Sequence, residues 1–195
     1  MEKIITLFQR NYETDRLVRN EVVPDAEWVL AGEGVALRKL DGTCCLVRDG
    51  KLYKRYDLKA KKGRHNPPHG WEPAQPEPDP VTTSWPGWIA VSNGPADAWH
   101  REALGNTTDA NSGKSPGDGT YELVGPRVQG NPEGYDKHLL IPHIATGFLT
   151  DAPRDFDGLR EYFTRRNIEG IVWHHPDGRM VKIKAKDFGI KRRAV

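Results

Sequence analysis

Alternating apolar and polar positions dominate the chain, mostly in short runs. Thr43–Val47 and Leu52–Tyr56 flank Asp49-Gly50, a dipeptide that favours a tight hairpin because both residues tolerate positive φ. Ile168–His174 and Met180–Lys184 flank Pro176-Asp177-Gly178 and predict a second hairpin. Trp88–Val91 and Thr120–Val124 read as further strands. Trp28–Leu40, rich in Val, Ala and Leu, reads as a strand leading into Asp41-Gly42. Helical spacing is rarer. Phe156, Leu159, Tyr162 and Phe163 lie on one helical face within Asp155–Arg166 and predict an amphipathic helix. Ala96–Leu104 predicts a shorter one. Runs of strands with few helices between them predict an α+β fold built on antiparallel sheet.

Two segments break the pattern. Asn66–Pro86 is Pro-rich and reads as an extended surface loop; Gly105–Gly119 is polar and Gly-rich and reads as another. At roughly 100–200 residues per domain, 195 residues predict a single domain over 1–195. The net charge is only +2, which excludes a purely electrostatic nucleic-acid binder but leaves room for a local basic groove. Basic residues cluster in Lys51–Arg64, where Asp57 is the only acid, and in Lys182–Arg193, where Asp187 is. Such runs are either solvated strand edges or phosphate contacts. No apolar run approaches the roughly 18–20 residues that cross a bilayer, and Met1–Arg10 has no signal-peptide pattern. Cys44 and Cys45 are adjacent, which predicts no disulfide framework and a reducing, cytoplasmic setting.

Four motifs carry possible chemistry. In Lys39-Leu40-Asp41-Gly42, a lysine precedes a bend in which Gly allows close backbone approach; a lysine whose amine loses its proton is a nucleophile. In Tyr121-Glu122-Leu123-Val124-Gly125 and Ile168-Glu169-Gly170-Ile171-Val172, one acid stands in an apolar run, costly to bury unless paired or used as a ligand. In Val181-Lys182-Ile183-Lys184, alternation puts both lysines on one face, where they suit a polyphosphate. The bland alternatives are a surface lysine on a hairpin, solvent-facing acids and a polar-out strand. His65 and His69 lie in the Pro-rich loop, without helical metal geometry. Trp71, Trp85 and Trp88 frame that loop and either pin it or stack on bases.

In this order the motifs resemble the covalent nucleotidyltransferase superfamily, the polynucleotide ligases and mRNA-capping guanylyltransferases. The resemblance spans Lys39 to Lys184, and the segment from Lys39 to Cys45 is most similar to the small ATP-dependent 5′–3′ RNA ligase family. It implies a nucleotidyltransferase (ATP-grasp-like) domain whose antiparallel sheets enclose a nucleotide cleft. It implies that Lys39 attacks the α-phosphorus of ATP, carries AMP as a phosphoramide and passes it to the 5′-phosphate of RNA. A 3′-hydroxyl then displaces AMP. By the same resemblance Asp41 orients the first motif, Arg55 contacts phosphate or ribose, and Glu122 binds the ribose hydroxyls. Glu169 contacts metal or nucleotide, with Glu122 as a second metal candidate, and Lys182 and Lys184 bind the α-phosphate. The cofactors implied are ATP and Mg²⁺ or Mn²⁺, which suit oxygen ligands.

The sequence departs from those relatives in three places. Only 11 residues follow Lys184, so no C-terminal oligonucleotide-binding domain is expected, which favours an RNA ligase over a DNA ligase or capping enzyme. The stretch His138–His143 has no aromatic carbocycle where many relatives stack the base, leaving Ile141 for that task. Leu37-Arg38 precedes the lysine where several relatives have a base-reading Glu. The expected partner is RNA with 5′-phosphate and 3′-hydroxyl ends, with no membrane and a monomeric protein. The rivals are a DNA ligase, a guanylyltransferase and a non-catalytic end-binding module.

Overall fold

The computed structural model describes residues 1–60, 65–109 and 112–193. The chain begins with β1 (Ile5–Thr6), β2 (Phe8–Arg10), β3 (Val18–Val22), α1 (Glu27–Leu30) and β4 (Val35–Lys39). β5 (Thr43–Arg48), β6 (Lys51–Leu58), β7 (Glu72–Pro73) and β8 (Trp85–Ala90) follow. Then come α2 (Ala98–Thr107), β9 (Gly119–Val124), β10 (Leu139–Pro142), α3 (Phe156–Arg165), β11 (Gly170–His174) and β12 (Met180–Lys184). The fold is α+β with few helices and mainly antiparallel sheet, and it divides into two compact units.

One unit comprises Ile4–Leu40 and Ile144–Val195. Its four-stranded sheet has the order β1-β12-β11-β4. All pairings are antiparallel except β1 with β12, which is parallel. One face carries the core: Ile171, Trp173, Val181, Ile183 and Ala36 are buried with Leu159, Tyr162 and Phe163 of α3 and Trp28 and Val29 of α1. The helical face expected within Asp155–Arg166 is therefore the packed one. Asp155 is its N-cap, accepting the Gly158 N–H at 2.9 Å. Trp28–Leu40 is not one strand. Its first residues form α1, Gly32 and Gly34 take φ of +91° and +69°, and β4 starts only at Val35. A Cβ on Gly34 would lie 2.5 Å from the Trp28 ring and 2.9 Å from the His174 carbonyl oxygen, so the break is also a packing requirement. The strands of the N-terminal segment, β1 to β3, were not expected from the pattern; they are short and mostly half-buried or exposed.

The other unit comprises Met1–Lys3 and Asp41–His143. Its six-stranded antiparallel sheet has the order β10-β9-β5-β6-β8-β7. Asp49 and Gly50 take φ of +51° and +69°, the turn expected of Asp-Gly. Cys45, Val47, Leu52, Tyr121, Leu123 and Leu140 form the core with Ala103 of α2. The Pro-rich segment contains β7, whose Pro73 sits on an edge strand, where a missing N–H does no harm. Trp71 and Trp85 pin this segment: their indole N–H groups donate to Tyr56 O (3.0 Å) and Gln75 O (2.9 Å). Trp71 lies against Gly87, where a Cβ would come within 2.1 Å of its ring. Of the basic run Lys51–Arg64, residues 61–64 lie outside the described residues, as do 110 and 111 of the second loop.

Candidate active site

Register across three strands of the four-stranded sheet builds a cluster of lysines. Gly170 of β11 is paired with Lys39 of β4 on one side and Lys184 of β12 on the other. Residues paired in this way point to the same face. The two lysines therefore flank a position that has no side chain. That absence is enforced: a Cβ on Gly170 would lie 2.3 Å from the Ile183 carbonyl oxygen. Lys182 is two residues before Lys184 and shares its face, as alternation predicts. The opposite face of the sheet is the apolar core, so these lysines stand on its polar side.

Glu169 sits between the two lysines. Its Oε2 accepts from Lys39 Nζ at 2.6 Å and its Oε1 lies 3.0 Å from Lys184 Nζ. Lys39 also donates to Leu40 O at 3.3 Å. Glu169 is buried, and burial alone would raise its carboxyl; the ammonium groups of Lys39 and then Lys184 overcome this and hold it below its ordinary value. Lys184 is lowered chiefly by burial, with Lys39 adding to the effect and Glu169 opposing it. The acid in the Ile168–Val172 run is thus paired, as its burial requires.

The other unit holds Glu122, Ile141, Asp41 and Arg55. Glu122 is buried on β9, paired with Cys44 on one side and Ile141 on the other, so Ile141 lies beside it on the same face. Its Oε1 accepts the Gly42 N–H at 3.0 Å, and its Oε2 lies 2.9 Å from His143 Nε2. Gly42 is needed for this approach, since a Cβ there would be 2.2 Å from Leu123 O. The backbone N–H of Asp41 donates to Glu133 Oε1 at 3.0 Å. Arg55 donates to Asp57 at 2.8 Å and to Met1 O at 2.7 Å, with its guanidinium 5.2 Å from the Trp88 ring centroid. His143 and Glu133 are the residues that motif reading missed. The one usable signal was that a buried Glu122 demands a partner.

The carboxylates expected to hold a metal are already engaged. Both oxygens of Glu169 face ammonium groups, and both oxygens of Glu122 have partners. Among the described residues no group of three or more His, Cys, Asp or Glu side chains is placed to hold an ion. Among the described residues no helix is long and apolar enough to cross a membrane.

These features define an α+β protein whose central polar feature is a lysine–glutamate–lysine cluster next to a glycine floor. Sequence comparison then narrows the class. The family described as RNA ligase 1 matches residues 114–194, which include Glu122, Ile141, Glu169, Lys182 and Lys184. RNA ligase 1 of Rattus norvegicus is 28% identical over 224 aligned residues, covering 80% of this chain and 67% of the relative. RNA ligase 1 of Danio rerio is 26% identical over 220, with the same coverage. Over these residues the chain is similar to RNA ligase 1.

Proposed function

We propose that the protein is an ATP-dependent RNA ligase with a nucleotidyltransferase fold, joining 5′-phosphate to 3′-hydroxyl ends through a covalent lysyl-AMP on Lys39. The observation that carries this is the Lys39–Glu169–Lys184 cluster. It supplies a lysine amine, a carboxylate within 2.6 Å of it and a second cation on the same carboxylate.

Attack requires the free amine. Glu169 is the group in contact with the departing proton. The Lys39 Nζ–phosphorus bond forms as the bond from the α-phosphorus to the bridging oxygen breaks and pyrophosphate leaves. Lys184 and Lys182 neutralise the moving phosphate, which is the main demand of phosphoryl-type transfer. The glycine at 170 leaves room for that phosphate between the lysines. An oxygen of the RNA 5′-phosphate next attacks the same phosphorus, and Lys39 is released. The 3′-hydroxyl then attacks the 5′-phosphate and AMP departs.

Glu122 binds the ribose hydroxyls with the acceptor sites left after Gly42 and His143, since a carboxylate offers about four. Ile141 lies against the base, Arg55 contacts phosphate or ribose, and Asp41 orients the first motif. Glu169 would be the carboxylate of the lysine cluster that helps to hold Mg²⁺ or Mn²⁺, which would supply charge neutralisation.

The test is adduct formation with α-labelled ATP, read on a denaturing gel and by intact mass after pretreatment with pyrophosphate. Label from ATP that is lost in Lys39→Ala is the expected result. Label from GTP instead points to capping chemistry. No label with folded protein supports the end-binding module and overturns the reading.

A further inference from the structure

The basic run Lys182–Arg193 continues past β12 as a fixed segment. Ala185–Phe188 form a 3₁₀ turn, which ends at Gly189 with a φ of +78°. The Ile190 N–H donates back to Ala185 O at 3.1 Å, and Ile190 packs against the core. Asn167, between α3 and β11, then holds the chain at Arg193. Its side-chain oxygen accepts the Arg193 N–H at 2.9 Å, and its amide N–H donates to Arg193 O at 3.1 Å. Asn167 stands two residues before Glu169, and the Ala185 N–H donates to Glu169 O at 2.9 Å. The segment is thus tied on both sides to the chain that leads into Glu169. Lys39, Gly170 and Lys184 lie at this same end of the sheet, as the last residue of β4, the first of β11 and the last of β12.

The charge balance of this segment differs from that of α3 in the same unit. On α3 and its C-cap, Arg160, Arg165 and Arg166 pair with Asp157, Glu161 and Asp151. Lys186, Lys191 and Arg193 are exposed and form no ion pair among the described residues. The only acid of the run, Asp187, is 1% exposed. It is taken up by Arg10 and by the Lys184 N–H, the latter at 3.0 Å, so it neutralises nothing at the surface. Like charges held on a tethered segment repel one another, and a polyanion relieves that repulsion.

The three cations lie beyond those that face the reacting nucleotide. In the function proposed above, on which this inference rests, Lys39, Lys182 and Lys184 meet the phosphates of that nucleotide. Outer cations suit a ligand with further phosphates along its length. We propose that Lys186, Lys191 and Arg193 contact backbone phosphates of an RNA strand whose end reaches the Lys39–Glu169–Lys184 cluster. Contacts of this kind position a strand without reading its bases.

The experiment uses Lys39→Ala, which lacks the nucleophile, and a 5′-phosphorylated single-stranded RNA oligonucleotide. Fluorescence anisotropy reads binding from about 50 to 200 mM salt. Lys191→Ala/Arg193→Ala in that background should weaken binding about tenfold at low salt. It should flatten the plot of log affinity against log salt by roughly 1.4, at about 0.7 for each phosphate contact on a single strand. Lys186→Ala should flatten it by about half as much. Arg160→Ala/Arg165→Ala removes the same charge from α3 and should leave the slope unchanged. With Lys39 intact, Lys191→Ala/Arg193→Ala should form adduct at the wild-type rate and half-saturating ATP concentration. An unchanged slope overturns the proposal, as does an equal loss in the α3 variant, which reduces the effect to net charge. A raised half-saturating ATP concentration with normal RNA binding also overturns it and assigns the cations to pyrophosphate. A flattened slope in a protein whose wild type forms no adduct upholds the RNA contact and removes the ligase mechanism instead.

Discussion

A Cβ on Gly170 would come within 2.3 Å of the carbonyl oxygen of Ile183. Backbone cannot yield as a flexible side chain can. Gly170→Ala must therefore push β11 away from β12 or tilt the pairing. We expect a loss of about 1–3 kcal/mol, the usual cost of overpacking, together with a fall in adduct formation as the two lysines lose their common partner. Gly105 in α2 is the control, because no atom lies within 4 Å of its added Cβ. Gly105→Ala should stabilise by roughly 0.5–1 kcal/mol through helix propensity. Urea unfolding of the two variants, with opposite signs, checks both statements.

Lys54 and Asp97 form an ion pair in the six-stranded unit, with the Asp97 side chain buried. Burial pushes the Asp97 carboxyl up, but Lys54 and the backbone and hydroxyl donors of Ser92 outweigh it and hold it at about 2. The folded value lies below the unfolded 3.8, so the pair stabilises the fold above about pH 4 and the contribution fades as pH falls towards 2. The gap corresponds to about 2 kcal/mol. Lys54→Ala should cost part of that amount at pH 7, because the Ser92 donors remain, and progressively less below pH 4. Thermal unfolding across that range is the measurement. A deficit that does not change with pH would assign the effect to packing of the lysine stem.

What could be read in advance was local. The Asp49-Gly50 turn needs only two residues with positive φ. The α3 face needs only the spacing of Leu159, Tyr162 and Phe163. The common face of Lys182 and Lys184 follows from strand alternation. Glu122 and Glu169 could be suspected because an acid in an apolar run must find a partner. The partners themselves were not legible. Lys39 meets Glu169 only because β4 pairs with β11 at a register set by the packed core, and nothing near Lys39 in sequence encodes that register. His143 lies in a short irregular segment without periodicity. Trp28 misled because apolar composition without clear alternation serves a helical turn as well as a strand.

Lys184→Ala separates the two lysines of the cluster. Lys39 keeps its contact with Glu169, so the nucleophile remains held, but one cation facing the transferred phosphate is gone. Loss of one preorganised charge partner commonly costs about 10²–10³ in rate. We expect adduct formation to slow on that scale while the melting temperature changes little, because the lost pair is half-buried. Rapid-quench measurement with labelled ATP decides it. A normal rate would remove Lys184 from the phosphate site.

Glu169→Gln leaves two ammonium groups around a neutral amide. In the wild type, the Glu169 carboxyl is lowered on folding, so its contribution is complete above the ordinary value of 4.5 and is lost as pH falls through the depressed value. Lys184 has the same sign in an alkaline window. Its folded value lies below 10.5, so the native state holds fewer protons than the unfolded chain in that window, and stability rises with pH through it. Glu169 is the group that draws Lys184 back towards its ordinary value, so in the variant that window opens at lower pH. The stability gap between wild type and variant should therefore be widest near neutrality, about 2 kcal/mol or more, since breaking a partly buried pair strands its partners. It should narrow in acid, as wild-type Glu169 takes up its proton, and in alkali, as Lys184 loses its own. Urea unfolding across the pH range in which the fold persists tests this. A gap of equal size throughout would mean that Glu169 holds the lysines by shape and hydrogen bonding, with its charge contributing nothing.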